Sequence, residues 1–185
     1  MDLGFRLHAE RTPNPNSIKW VLGRPVVDAS HSANFAEQPT EGVSPLAHRL
    51  FSLPEVTGVF MASNFVTVTK NDETEWPDVA QSIVDVLKEC LGEGGSALGP
   101  DFEASAGSDD SEIVTRIRAV LDREIRPAVA RDGGDIVFAG FRGGVVELYM
   151  QGSCAGCPSS TATLKHGIEA RLRDEFPEVE SVAAI

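Results

Sequence analysis

Residues 92–111, GEGGSALGPDFEASAGSDDS, consist of glycine, serine, alanine and acids with almost no large apolar side chain. A stretch of that composition buries too little surface to offset the entropy of ordering it, so one continuous core cannot run through it. The expected architecture is two small domains, residues 1–91 and 111–185, joined by a flexible acidic linker over 92–110. Each half is long enough for a modest core, and no internal repeat relates them.

In the first half, a strand is expected around Phe5–Glu10, then a rigid turn over Thr12-Pro13-Asn14-Pro15-Asn16-Ser17, where two prolines and two asparagines restrict the backbone. A second strand follows over Ile18–Leu22 and a short helix over Pro45–Leu53. Two more strands, Val56–Met61 and Phe65–Lys70, are joined through Ala62-Ser63-Asn64. Val79, Ile83, Val86 and Leu87 then recur at helical spacing and predict a helix from about Pro77 to Leu91.

The second half opens with Ser111 as N-cap and Glu112 in the first turn, and Ile113, Ile117, Val120, Leu121 and Ile125 share one helical face. Asp132-Gly133-Gly134-Asp135 ends that helix. Ile136–Phe141 and Val145–Gln151 read as a hairpin about Arg142-Gly143-Gly144. Leu164, Ile168, Leu172 and Phe176 lie at intervals of four on a second helix, closed by Pro177 before a last strand, Val179–Ala184. The order α-β-β-α-β describes a small α+β domain, and the chain as a whole is expected to be α+β.

The chain carries a net charge of −12, and its three parts carry −5, −5 and −2 in sequence order, so the central segment is the most acidic for its length. Recognition of DNA, RNA or anionic lipid draws on clustered lysine and arginine, which points to proteins or ions as partners. No apolar run approaches the roughly 18 residues needed to cross a bilayer, so no membrane association is expected. Three cysteines do not make a disulfide framework, and a close pair in a reducing compartment indicates metal or thiol chemistry. A cytoplasmic, bacterial address is the expectation, since the first twenty residues lack transit-peptide character; an organellar chain would be in its mature form.

That pair lies in Gln151-Gly152-Ser153-Cys154-Ala155-Gly156-Cys157-Pro158-Ser159-Ser160, between a strand and a helix. Pro158 suits the first helical position, which places Cys157 near the N-cap and both thiols beside the positive helix end, where thiolate is favoured. Gly152, Ala155 and Gly156 keep bulk away from the sulfurs. Cys154 and Cys157 supply two metal ligands, whereas zinc and iron–sulfur sites usually take four. Cys90 lies across the linker in an apolar helical pattern and reads as a small core residue. A two-fold dimer would present the same loop twice and complete the shell.

On residue types alone, zinc binding, dithiol exchange and cluster binding all stay open. Zinc would want another pair or suitably spaced histidines, and the nearest candidate, His166, nine residues on, is expected to face solvent. A thioredoxin-type site usually has an aromatic where Ser153 stands. Asp132-Gly133-Gly134-Asp135 reads as a helix stop and turn rather than a cation loop. Arg126, Arg131, His8, His31 and His48 receive no role, and no catalytic residue is assigned.

Arg126-Pro127, Asp132-Gly133-Gly134-Asp135, Gly140-Phe141 and Gly152 to Ser160, followed by Thr163-Leu164-Lys165, Gly167-Ile168-Glu169 and Pro177-Glu178-Val179, resemble the C-terminal domain of NifU and the Nfu proteins. The likeness spans nearly all of 111–185. Thr12 to Ser17, Lys19, Leu50-Phe51, Val56-Thr57-Gly58-Val59-Phe60 and Asn64-Phe65-Val66-Thr67-Val68 are similar to the N-terminal domain of Nfu proteins over about 5–91.

The resemblance implies a non-enzymatic scaffold or carrier. It would bind an iron–sulfur cluster, [4Fe–4S] or sometimes [2Fe–2S], one per homodimer, through Cys154 and Cys157. It would receive the cluster from upstream assembly proteins and donate it to apo iron–sulfur proteins. The N-terminal domain of that family holds no ligands and is thought to assist client recognition or assembly. The cluster-building regions of full-length NifU have no counterpart in this sequence, which favours carriage over assembly.

Overall fold

The computed structural model describes residues 6–28, 32–92, 94–103, 111–155 and 158–185. The chain forms two compact units, Met1–Ala104 and Ser105–Ile185, both mixed α+β.

In the first unit, strands β1 (Leu7–Arg11), β2 (Ser17–Leu22), β3 (Ser32–Phe35), β4 (Val56–Ala62) and β5 (Phe65–Lys70) form one antiparallel sheet ordered β1-β2-β5-β4-β3. Helices α1 (Pro45–Leu50) and α2 (Trp76–Leu91) pack on its core. Val79, Ile83, Leu87 and Leu91, at intervals of four, bury one face of α2 against a cluster containing Trp20, Leu22, Leu46, Leu50, Met61 and Val66. The Thr12–Ser17 turn forms as expected: Thr12 Oγ1 donates to the Asn14 carbonyl at 2.9 Å, and the Asn14 side chain accepts from Asn16 N at 3.0 Å.

Three features of this unit depart from the expectation. β3 is an unforeseen edge strand, because Ser-Ala-Asn-Phe has no β-branched residue and is held by its pairing of Ala33 with Met61. Helix α1 stops at Leu50, and a tight turn follows in which Leu53 N donates to the Leu50 carbonyl at 3.1 Å.

The third departure is that part of the expected linker is packed. Ala97 is buried in the first core with Leu98 and Phe102 against it. Gly99 N donates to the Val43 carbonyl at 2.9 Å and Asp101 N to that of Gly42 at 3.0 Å. These backbone bonds, which apolar density does not signal, hold the segment on the 42–44 loop.

In the second unit, α3 (Glu112–Val120) continues through a π turn (Leu121–Ile125) into α4 (Arg126–Arg131). Pro127 has no N–H to close an α-helical turn, and the helix widens there instead, with Arg126 N donating to the Leu121 carbonyl. The sequence had suggested an uninterrupted helix. β6 (Gly134–Arg142) and β7 (Val145–Gly152) pair antiparallel around Gly143 and Gly144, whose φ values of 55° and 80° suit a tight hairpin turn.

Helix α5 (Pro158–Glu175) returns the chain so that β8 (Ser181–Ala184) lies parallel to β7. β8 begins two residues later than expected, since Val179 N is taken by a turn bond to the Phe176 carbonyl at 3.0 Å. Ile117, Val129, Ile136, Leu148, Ile168, Leu172 and Phe176 make the core. No helix among the described residues is long and apolar enough to cross a membrane.

Candidate functional site

The ends of β6 and β7 meet at Gly134 and Gly152, and the cysteine loop leaves from there. Gly152 turns the chain with φ of 63°, and Ala155 N donates to its carbonyl at 3.1 Å. Gly133, with φ of 79°, brings the end of α4 back beneath the loop. Ser153 N donates to the Gly133 carbonyl at 3.2 Å, and Ser153 Oγ donates to that of Asp132. The Asp132–Asp135 segment is thus the helix stop expected, and it is also the floor of the cysteine loop.

Cys154 is buried, with 7% of its surface exposed. A Cβ on Gly134 would stand 2.5 Å from its Sγ and 2.8 Å from the Gln151 carbonyl oxygen, so the thiol rests directly on a backbone that tolerates no side chain. Thr161, in α5, donates its hydroxyl to the Cys154 carbonyl at 2.9 Å. Cys157 lies outside the described residues, as does Gly156, while α5 starts at Pro158 as the sequence predicted.

Burial pushes the Cys154 thiol up to about 11, the Asp132 and Asp135 carboxylates add to the rise, and a hydrogen bond with Ser153 opposes it. The sequence had placed both thiols in a thiolate-favouring position at the helix end. For Cys154 in the cluster-free chain, burial moves the thiol the other way.

Arg126 braces the floor. Its guanidinium makes a bidentate contact with the buried Asp135 carboxylate, Nε at 2.8 Å and Nη2 at 2.7 Å, while Nη1 meets Asp122 at 3.0 Å. Asp135 Oδ1 also accepts from Ile136 N at 2.8 Å, so the carboxylate is a structural hub. Arg171 joins α5 to the π turn through Glu124 at 2.7 Å, and this partner, with Arg123, holds the Glu124 carboxyl down to about 2.

Among the other candidates, His166 is exposed, its Nδ1 near the Ala162 carbonyl. Cys90 is half-buried against the first unit's core, and burial raises its thiol above the ordinary value. His8 faces Glu10 and His48 the Pro39 carbonyl, and His31 lies outside the described residues. Among the described residues, no group of three or more His, Cys, Asp or Glu side chains could hold a metal ion. Sequence reading missed Ser153, Gly134 and Thr161 as parts of the site, although the Gly-Gly pair flanked by acids was the signal for the floor.

Fold and loop together define a two-unit α+β protein that offers a cysteine loop at a strand–helix junction. The family description "NifU-like domain" matches residues 117–183, and "Scaffold protein Nfu/NifU N terminal" matches 7–94. The human mitochondrial NFU1 iron–sulfur cluster scaffold homolog is 41% identical over 184 residues, covering 97% of this chain and 71% of the relative. Its namesake in Drosophila erecta is 40% identical over 182 residues, covering 97% of this chain and 64% of the relative. The solution structure of a NifU-like protein from Saccharomyces cerevisiae aligns with a TM-score of 0.46 at 22% identity, over 53% of this chain and 87% of that one.

The chain belongs to the Nfu family of iron–sulfur cluster scaffold proteins. It spans 64% of the length of the fly relative. The human and fly relatives are mitochondrial, which overturns the cytoplasmic bacterial address expected from the sequence. That expectation rested on the composition of the first twenty residues, and such composition does not fix an address.

Proposed function

We propose that two copies of this chain hold one iron–sulfur cluster, [4Fe–4S] or in another state [2Fe–2S], through the thiolates of Cys154 and Cys157. The chain takes the cluster from upstream assembly proteins and passes it to apo iron–sulfur proteins. It acts as a carrier and not as a catalyst. The first unit leaves the ligand set to the second unit and assists client recognition or assembly.

The observation that carries this reading is the seat of Cys154: a thiol on a glycine floor, in a loop pinned on both sides, at a strand–helix junction. A chain offering a pair of thiols fills half of a four-ligand shell, and a second copy related by a two-fold axis fills the other half. Ligands shared between subunits stay reachable by a client's thiols, which suits delivery. The raised Cys154 thiol means that cluster binding displaces a proton there, so loading depends on pH.

Anaerobic reconstitution with ferrous iron and sulfide tests the reading. The expected result is a brown protein whose native mass is that of two chains plus one cluster, and which transfers that cluster to an apo acceptor. C154S and C157S each abolish cluster and dimer. A cluster retained by the double variant, or a complete cluster on a single chain, overturns the proposal.

A further inference from the structure

Cys154 is fastened from two directions. On its N-terminal side, Ser153 is tied to the Gly133 and Asp132 carbonyls, bonds that hold the loop to the end of α4. On its C-terminal side, Thr161 reaches back seven residues, out of α5, to the Cys154 carbonyl at 2.9 Å. A helical threonine usually spends its hydroxyl on a carbonyl of its own preceding turn. Here the bond leaves the helix and holds the peptide group that follows Cys154, which restrains the backbone carrying the thiol. Sγ lies against Gly134, where a Cβ would be 2.5 Å from it.

We infer that Thr161 is a positioning residue for Cys154: by holding its carbonyl it keeps the thiol turned in on Gly134 and sets how readily the sulfur opens to an incoming metal centre or reagent. The inference deepens the carrier reading and rests on it for the metal centre, whereas the turning-in of the thiol is a property of the cluster-free chain. The bond belongs to a side chain, so a β-branched residue of equal shape removes it without disturbing the backbone. Loss of one neutral hydrogen bond shifts a local opening equilibrium by about fivefold. The Ser153 bonds remain, so opening increases but the loop does not unravel.

The test compares the full chain with T161V, which keeps the shape and loses the hydroxyl, and T161S, which keeps the hydroxyl. Iodoacetamide labelling of the cluster-free protein is followed at Cys154 by peptide mass mapping, with Cys90 in the other unit as an internal reference. T161V should label about fivefold faster at Cys154 with Cys90 unchanged, and T161S should label at the parent rate. After reconstitution, T161V should lose its visible absorbance to a ferrous chelator faster than the parent, and T161S should not.

Equal Cys154 labelling in parent and T161V overturns the inference, as does T161S behaving like T161V. Parent protein that takes up no cluster overturns the carrier reading, while the labelling comparison still decides the role of Thr161.

Discussion

Gly134 lies directly beneath the sulfur of Cys154, close enough that a Cβ there would stand 2.5 Å from Sγ. The contact ties the end of β6 to the cysteine loop. Three atoms crowd a new methyl, the Cys154 sulfur, the Gln151 carbonyl at 2.8 Å and the Cys154 amide nitrogen at 3.2 Å, and since the two backbone atoms cannot yield cheaply the strain falls on the thiol. G134A should therefore destabilise the second unit by about 1–3 kcal/mol, as overpacking does elsewhere, and should push the thiol out of its seat. Denaturant unfolding and Cys154 labelling check the two effects; a G134A chain with parent stability and parent labelling would sink the account of the floor.

Arg126 and Asp135 brace that floor from the side. The carboxylate is nearly all buried, with 6% of its side chain exposed, while the Arg126 side chain keeps 32% in solvent. Removing the arginine leaves a buried charge with one backbone donor, from Ile136, to satisfy it. R126Q should cost about 2–3 kcal/mol of stability, at the low end for a buried pair because the arginine is partly solvated. R126Q/D135N, which removes both charges, should recover part of the loss. Equal stability of parent and R126Q by chemical denaturation would contradict the hub role of Asp135.

The Cys154 thiol gives the second unit an alkaline limit. Burial, aided by Asp132 and Asp135, raises its pKa in the folded chain from 9.0 to about 11. The folded state therefore holds this proton more tightly than the unfolded chain does. The resulting stability is whole below pH 9 and is lost as the pH climbs through 11, amounting to roughly 2–3 kcal/mol for a shift of this size. Tyrosine and lysine titrate in the same window, so the measurement is a difference: unfolding free energy against pH for parent and C154A. The gap between them should change by that amount from pH 8.5 to 11.5, and parallel curves would refute it.

Helical and hairpin periodicity was legible because packing and sequence pattern agree there. α2 buries Val79, Ile83 and Leu87 as their spacing predicts, with Leu91 in place of the expected Val86, which is only partly buried, and Gly143-Gly144 marks the hairpin by the backbone it demands. What escaped the sequence depends on partners far along the chain. The π turn follows from Pro127, whose effect on a helix can be a stop, a kink or a widening, and packing decides which. β3 exists because Ala33 has Met61 beside it.

In the site, the loop's position between β7 and α5 was readable and the Gly-Gly pair marked the helix stop, but that this stop lies beneath Cys154 was not. Gly134 lies twenty residues before Cys154, and only folding brings them together. The direction of the Cys154 shift was misjudged for the same reason. A helix terminus can be read locally, whereas burial and the Asp132 and Asp135 carboxylates arrive through the tertiary fold.

Ser44 tests the packed part of the presumed linker. Its hydroxyl donates to the Ala97 carbonyl at 2.7 Å and accepts from Ala47 N at 3.1 Å, so one buried side chain both caps α1 and holds the segment that follows α2. S44A removes the cap and leaves the Ala97 carbonyl without that donor, a combined loss of about 1–2 kcal/mol. The loss falls first on the segment, whose hold on the first unit includes this bond, two backbone bonds to the 42–44 loop and the packing of Ala97, Leu98 and Phe102. In S44A the amides of Gly99 and Asp101 should exchange with solvent faster, while those of β4 and β5 keep their protection. Uniform loss of protection across the sheet would mean that Ser44 supports the whole unit, and unchanged exchange at Gly99 would mean that the segment holds without it.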